Sequence, residues 1–295
     1  MPLALRKSPI PDSQTFVIKA LKEANFDPNW HFHQEYQLFV VLKGSGTRFV
    51  GDHIKSFDAG DLVFTGPNLP HLWRSDRKFF DGNKDIQSEG IVIYLQEHFP
   101  GKDFIFKEES IKLKNLLERS RRGLEFYGNT AKKVRGMMQK LLHKSGLESI
   151  IYLLEILNLM IHSDDVHELS SPGYTNSLKE GDTEVMNRIH AYVMDHFKQQ
   201  IQLNDVATLA NMTPTSFSRY FKVHANKTFS EFVSEVRIGH ACRLLIEDKM
   251  NVAQACYESG FQTLTNFNRQ FKARTNRTPL QYKKEYEGRL THGTL

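Results

Sequence analysis

The chain has 295 residues, a formal net charge of +5, 40% hydrophobic residues and two cysteines. That length suits about two domains of ~150 residues each. Cys242 and Cys256 are too few for a disulfide framework, and the modest positive charge permits a nucleic-acid partner without demanding one.

In chain order, "TFVIKAL", "QLFVVLKG", "TRFVGDHIKSF", "DLVFTG" and "GIVIYL" between residues 12 and 106 are β-rich runs. Turn chemistry in "GSG", "AGD" and "GPNLP" separates them, which predicts a sandwich or barrel of short strands. The leading "MPLALRKSPIPDSQ" lacks an apolar core of signal-peptide length. From residue 111 the apolar period becomes helical, in "IKLKNLLERSRRG", "TAKKVRGMMQKLLHKS" and "LESIIYLLEILNLMI". The last run is interrupted by Glu155 and Asn158 and is shorter than the ~20 residues of a membrane span. A cytoplasmic location is expected. Residues 166–183 have linker chemistry, separating an N-terminal domain (1–165) from a helical C-terminal one (184–290).

The C-terminal third contains a repeat. Phe217, Arg219, Phe221, Lys222, Asn226 and Thr228 recur fifty residues later as Phe267, Arg269, Phe271, Lys272, Asn276 and Thr278. Before the first copy, Asn204 can cap "DVATLA", which stops at Asn211; Thr213 caps the next helix with Pro214 at its first position. Before the second, Asn251 caps "VAQACYES", which stops at Gly260. Asn and Gly tolerate the left-handed conformation that a tight turn needs. Helix, short turn, second helix is a helix-turn-helix signature. Phe217, Tyr220, Phe221, Phe267 and Phe271 should face the core. The opposite faces carry Thr215, Ser216, Ser218, Arg219 and Lys222, and Thr265, Asn266, Asn268, Arg269 and Lys272. Such hydroxyls, amides and guanidiniums read base edges in a major groove. A single face of this kind could be ordinary helix surface; two matched copies favour double-stranded DNA as a partner. Thr228 and Glu231 can form a capping box for one long helix between the units.

On these residues, 184–287 resemble the DNA-binding domain of AraC/XylS-type transcription regulators, through "SRYFK…KTFSEFVSEVRIGHACRLL" and "ESGFQTLTNFNRQFKARTNRTPLQY". Asn211 stands where the family usually has Gly. The stretches "HFHQEYQLFVVLKGSG" (31–46) and "GDLVFTGPNLPH" (60–71) resemble the two motifs of the cupin barrel. The resemblance implies a fold of mixed α+β class: a cupin-like β-barrel with flanking helices, then an all-α tandem helix-turn-helix domain. Metal-binding cupins ligate iron, manganese or nickel through three histidines and an acid. Here His31, His33 and His71 remain, Gln37 replaces the acid, and Glu35 is close by. A three-histidine set could still hold zinc or iron.

Fusion to a DNA-binding domain favours sensing over catalysis, so neither an enzyme nor a cofactor is expected. The expected effector pocket uses Trp30, His31, His33, Tyr36, Gln37, Arg48, His71 and Trp73, and aromatic faces with a few polar groups suit a sugar or related polyol. Trp30 and Trp73 could instead merely close the barrel ends. Arg48 and Arg74 could pair with an anionic effector, or be surface charges. Apolar spacing in 131–145 (Val134, Met137, Met138, Leu141, Leu142) and 147–161 (Ile150, Leu153, Leu154, Leu157, Met160) fits a homodimer seam as well as packing on the barrel. The expected function is a ligand-responsive transcription regulator, with an arm of about residues 1–14 or the seam relaying the effector. The rivals are a metal-binding cupin, sensor or enzyme, fused to a DNA-binding domain, and a nonspecific architectural DNA protein.

Overall fold

The computed structural model describes residues 10–292 apart from 83–84, 97, 102, 175, 177–179 and 247–249. Most of the expected N-terminal arm lies outside the described residues. The chain divides into two compact units, the second comprising Ile54–Ser56 and the chain from Glu184.

The first unit has strands β1 (Phe16–Glu23), β2 (Tyr36–Lys43), β3 (Gly46–Val50), β4 (His53–Phe57), β5 (Leu62–Thr65), β6 (His71–Ser75), β7 (Ser88–Leu95), β8 (Leu124–Phe126) and β9 (Val166–Glu168). They form a six-stranded sheet, β1-β7-β2-β5-β8-β9, and a three-stranded sheet, β4-β3-β6. A closed barrel is not what the strands make: among the described residues they form these two separate sheets. β6, β8 and β9 were not apparent as strands in the sequence. β9 occupies the start of the expected linker and pairs antiparallel with β8, so that part of the segment belongs to the sheet.

Alternation along the central strands explains the layering. Tyr36, Leu38 and Val40 of β2, with Leu62, Phe64, Ile91 and Ile93, join a core with α1 (Ile111–Ser120), α2 (Gly128–Leu141) and α3 (Gly146–Ile161). The intervening Phe39 and Val41, with Val63 and Val92, pack with Val50, Phe57 and Trp73 of the small sheet. The unit is therefore helices, large sheet and small sheet in three layers. This places most of the residues of the expected seam. Val134, Met138, Leu141, Leu153, Leu157 and Met160 are buried within the unit's own core, whereas Leu147 and Ile151 are exposed one turn apart on α3.

The second unit is helical: α4 (Glu180–His196), α5 (Leu203–Leu209), α6 (Pro214–Ala225), α7 (Phe229–Ile246), α8 (Val252–Glu258), α9 (Leu264–Thr275) and α10 (Pro279–His292). Helices α5–α6 and α8–α9 are the two helix-turn-helix pairs. Thr213 caps α6 by accepting from the Ser216 amide, with Pro214 at the first position. Asn251 and Gln254 form a reciprocal capping box on α8. Thr228 and Glu231 do the same for α7: the Thr228 amide donates to Glu231 Oε2 at 2.7 Å and the Glu231 amide to Thr228 Oγ1 at 3.2 Å.

Asn204 does not cap α5. The residue preceding that helix is Gln202, whose side chain makes no capping bond. Asn204 sits inside the first turn, where its carbonyl accepts from Thr208 Oγ1. The helix begins at Leu203, so Asn204 falls at its second position rather than before it. Asn211 (φ 56°) and Gly260 (φ 84°) occupy the same left-handed position, but the second turn is one residue longer, so the first helices are related by forty-nine residues and the recognition helices by fifty. A Cβ at Gly260 would lie 2.5 Å from the Phe197 carbonyl oxygen, so glycine is required there, while Asn suffices at 211.

Phe217, Phe221, Phe267 and Phe271 are fully buried; Tyr220 is half-buried. Phe221 packs edge-on against Phe229 and Phe232, and Phe271 against Tyr282. Cys242 and Cys256 are both free thiols, and burial pushes the Cys242 thiol up to about 12, so Cys242 is a core residue rather than a reactive one. Replacing Phe221 or Phe271 by Ala is expected to cost about 3–5 kcal/mol through cavity formation. Chemical denaturation of each variant checks this; a parental midpoint would contradict the packing.

Candidate functional site: recognition helices and an inter-sheet cavity

The exposed faces of α6 and α9 carry every residue expected for base reading. Thr215, Ser216, Ser218, Arg219 and Lys222 are exposed on α6, and Thr265, Asn266, Asn268, Arg269 and Lys272 on α9. The buried phenylalanines fix which way each face points. Helix α7 joins the two pairs, and its Glu235 ties them together. Glu235 pairs with Lys227, just beyond α6, at 2.5 Å, and with Arg274 near the end of α9. This clamp was not found from the sequence, because its members are far apart in the chain and lie outside the repeated positions.

In the first unit, His31, His33 and His71 converge: one ring nitrogen from each lies within 4.8 Å of the others, and all are buried. β2 delivers Gln37 to the same place, with Oε1 3.2 Å from His33 Nε2 and 3.4 Å from His71 Nε2. Each ring is fixed from behind. Nδ1 donates to the carbonyl of Asn29 for His31 (2.8 Å), of Glu35 for His33 (3.0 Å) and of Leu69 for His71 (2.7 Å). A carbonyl only accepts, so Nδ1 carries the proton, and a neutral ring then presents a lone pair at Nε2. Glu35 lies on the far side of His33, with Oε2 3.5 Å from Nδ1, and does not take the place of the missing acid.

These residues border a cavity of about 380 Å³ whose wall includes His31, Gln37, His71 and Trp73. His33 stands behind that wall, its ring edge-on to Tyr94 at 5.4 Å. Phe26, Phe39, Val92 and Tyr94 supply further apolar surface, and Glu23 and Asp27 also line the cavity. Phe39 and Tyr94 were findable in the sequence, since each lies on the inter-sheet face by the parity that places Gln37 and Val92 there.

Three of the expected pocket residues are elsewhere. Tyr36 has the opposite parity to Gln37 and stacks on Phe64 in the helix-side core. Trp30 is buried edge-to-face against Phe49 and is not part of the cavity wall. Arg48 is fully buried and pairs with Asp61 at 2.5 Å and Glu125 at 2.7 Å. Burial opposes its charge, but the two carboxylates outweigh that and hold its pKa above the ordinary value. It is therefore neither an anion receptor nor a surface charge. Asp61 also accepts from Trp73 Nε1 at 3.0 Å, so this ion network fixes one aromatic wall of the cavity. Arg74 is half-buried, its guanidinium over the Phe80 ring.

Residues 206–285 match the family model described as a helix-turn-helix domain. Among curated relatives, the HTH-type transcriptional regulator YdeC of Bacillus subtilis is 24% identical over 86% of this chain and 85% of its own length. The Msm operon regulatory protein of Streptococcus mutans is 21% identical over 85% of each. Among solved structures, ToxT of Vibrio cholerae aligns over 92% of this chain and 98% of its own at 15% identity with a TM-score of 0.35, a score too low to bear on the fold. The chain carries an AraC-type helix-turn-helix domain over residues 206–285, and both of these curated relatives, aligned over most of the chain, are named as regulators. Among the described residues, no helix is long and apolar enough to cross a membrane.

Removing Arg48 would leave Asp61 and Glu125 as uncompensated buried charges. Arg48→Met is expected to lower stability by about 3–5 kcal/mol, measured by urea denaturation. A loss below ~1 kcal/mol would show that the network is solvated rather than buried.

Proposed function

We propose that the protein is a ligand-responsive, sequence-specific transcription regulator. Its cupin-like N-terminal unit binds a small, neutral, hydroxyl-rich molecule of the sugar class, and α6 and α9 read an operator. The observation that carries the effector reading is a cavity of about 380 Å³ walled by Phe39, Trp73 and Tyr94, with His31, His71 and Gln37 among its polar groups. The aromatic faces suit the apolar face of a sugar ring, and imidazole and carboxamide can hydrogen-bond its hydroxyls. Anionic effectors are disfavoured, because among the described residues those bordering the cavity include Glu23 and Asp27 but neither lysine nor arginine. DNA binding would be as a homodimer, for which the outer face of α3 with Leu147 and Ile151 supplies apolar surface; paired half-sites multiply affinity.

A second reading is favoured by the same hydrogen bonds. Imidazoles whose Nδ1–H is held by carbonyls are oriented as metal-ligating histidines are. The donor set of three imidazoles and one amide oxygen fits zinc, for which three histidines and a water suffice. His31, His33 and His71 would hold the ion, which would orient a ligand hydroxyl. Catalysis is not proposed; the curated relatives named above are regulators.

Two experiments test this. Elemental analysis, together with thermal shifts of the full chain against neutral sugars, uronic acids and zinc, separates the readings. A shift with neutral sugars that is lost in Gln37→Ala supports the first; stoichiometric zinc lost in His71→Ala supports the second; a uronate-only response would contradict the first. For DNA, Arg219→Ala and Arg269→Ala should each weaken operator binding by about 1–3 kcal/mol at fixed salt without changing the melting temperature. Unchanged binding in both variants would mean that these faces do not enter the groove.

A further inference from the structure

We propose that Asn266 is a positioning residue for Arg269, and that α9 discriminates base pairs more sharply than α6. This rests on the sequence-specific reading of both helices given above. In α9, Arg269 Nη2 donates to Asn266 Oδ1 at 3.1 Å, one turn along the exposed face. The Asn266 backbone amide donates to Oγ1 of the capping Thr263 at 3.3 Å, as the Ser216 amide does to Thr213 in α6, so the two helix starts are alike and the difference lies in the side chain. A guanidinium tethered at one corner loses less rotamer freedom on docking and keeps its remaining donors in their planar fork, the geometry that meets guanine O6 and N7.

The equivalent position in α6 is Ser216, and the geometry there is different. The Thr213 hydroxyl donates to Ser216 Oγ at 3.0 Å within the cap, and Ser218 Oγ donates back to the Pro214 carbonyl at 2.8 Å. The Ser216 and Ser218 hydroxyls are thus engaged at their own helix end. A serine side chain is too short to support a guanidinium one turn away, and Arg219 is given no such tether among the described residues. Helix α6 then contributes mainly positive charge from Arg219 and Lys222, which strengthens binding without selecting sequence. Asn266 is assigned to Arg269 rather than to an adenine, although exposed Asn is commonly read as an adenine contact.

The test uses the full-length protein. An operator is selected from a random-sequence duplex library, and binding is measured at one salt concentration to that operator and to each of its single base-pair variants. Asn266→Ser should lose roughly tenfold of its discrimination at one G·C pair, with affinity for nonspecific duplex unchanged. Asn266→Asp keeps the acceptor and should keep the discrimination ratio, while its negative charge weakens binding to all sequences alike. Ser216→Asn should gain discrimination at the pair that α6 contacts. The proposal is overturned if Asn266→Ser matches the parent at every pair, or if Asn266→Asp loses discrimination too. It is also overturned if the lost discrimination falls at an A·T pair. A Ser216→Asn variant no more selective than the parent overturns the assigned asymmetry. A library that yields no enriched sequence defeats the sequence-specific reading itself, which distinguishes that failure from a failure of the Asn266 assignment.

Discussion

The cavity depends on the parity of one strand. β2 is covered on both faces, so each of its residues is committed to one of two cores by position alone. Leu38 and Val40 are committed to the helices, and Phe39 and Val41 to the small sheet. Gln37 falls on the small-sheet side, where the three imidazoles wait. A slip of one residue would put Tyr36 into the cluster and the amide into the helix-side core. The hydrophobic content of β2 therefore does more than stabilise the sheet: it fixes which polar group reaches the histidines.

Once placed, the polar groups are held by two different means. The imidazoles are fixed locally, each by a carbonyl two residues away in sequence. These bonds settle the tautomer as well as the ring orientation. The aromatic wall is fixed at long range, by Trp73 donating to Asp61, which also pairs with Arg48, itself paired with Glu125. Burying such a network costs desolvation energy that its Coulomb attraction only partly returns. Its structural consequence is specificity of arrangement. Arg48 on β3 and Glu125 on β8 belong to different sheets, so the ion pair holds the two sheets together across the layer that contains the cavity.

The sequence made some of this legible and hid the rest for physical reasons. The helix-turn-helix pairs were readable because their signals are local: caps at Thr213, Asn251 and Thr228, left-handed Asn211 and Gly260, and a phenylalanine period. The misplaced Asn204 cap shows the limit of such reasoning, since an Asn inside the first turn and an Asn just before it look alike in sequence. The histidine cluster was legible from its spacing together with a resemblance. Arg48 was not, because a lone arginine on a strand looks the same whether its partners lie in solvent or seventy-seven residues away. β8 and β9 are three residues each, too short for alternation to show. The expected barrel failed at the level of closure, which depends on pairing between distant strands.

The two helix-turn-helix pairs set the energy scale on which any effector must act. One recognition helix contacts few base pairs, and each mismatch costs about 1–3 kcal/mol, so a single pair discriminates weakly. Two pairs on one chain add their contacts without a second loss of translational freedom, provided their separation suits the groove. The α7 helix and the Glu235 clamp, reaching Lys227 and Arg274, fix that separation before DNA arrives. A rigid DNA-binding unit of this kind needs little from the effector. A coupling of ~1–3 kcal/mol, the ordinary range between two sites, changes occupancy about 5–150-fold. Imidazoles oriented in advance raise the affinity of a ligand that fits the cavity, but only a difference in that affinity between two arrangements of the protein would shift DNA occupancy.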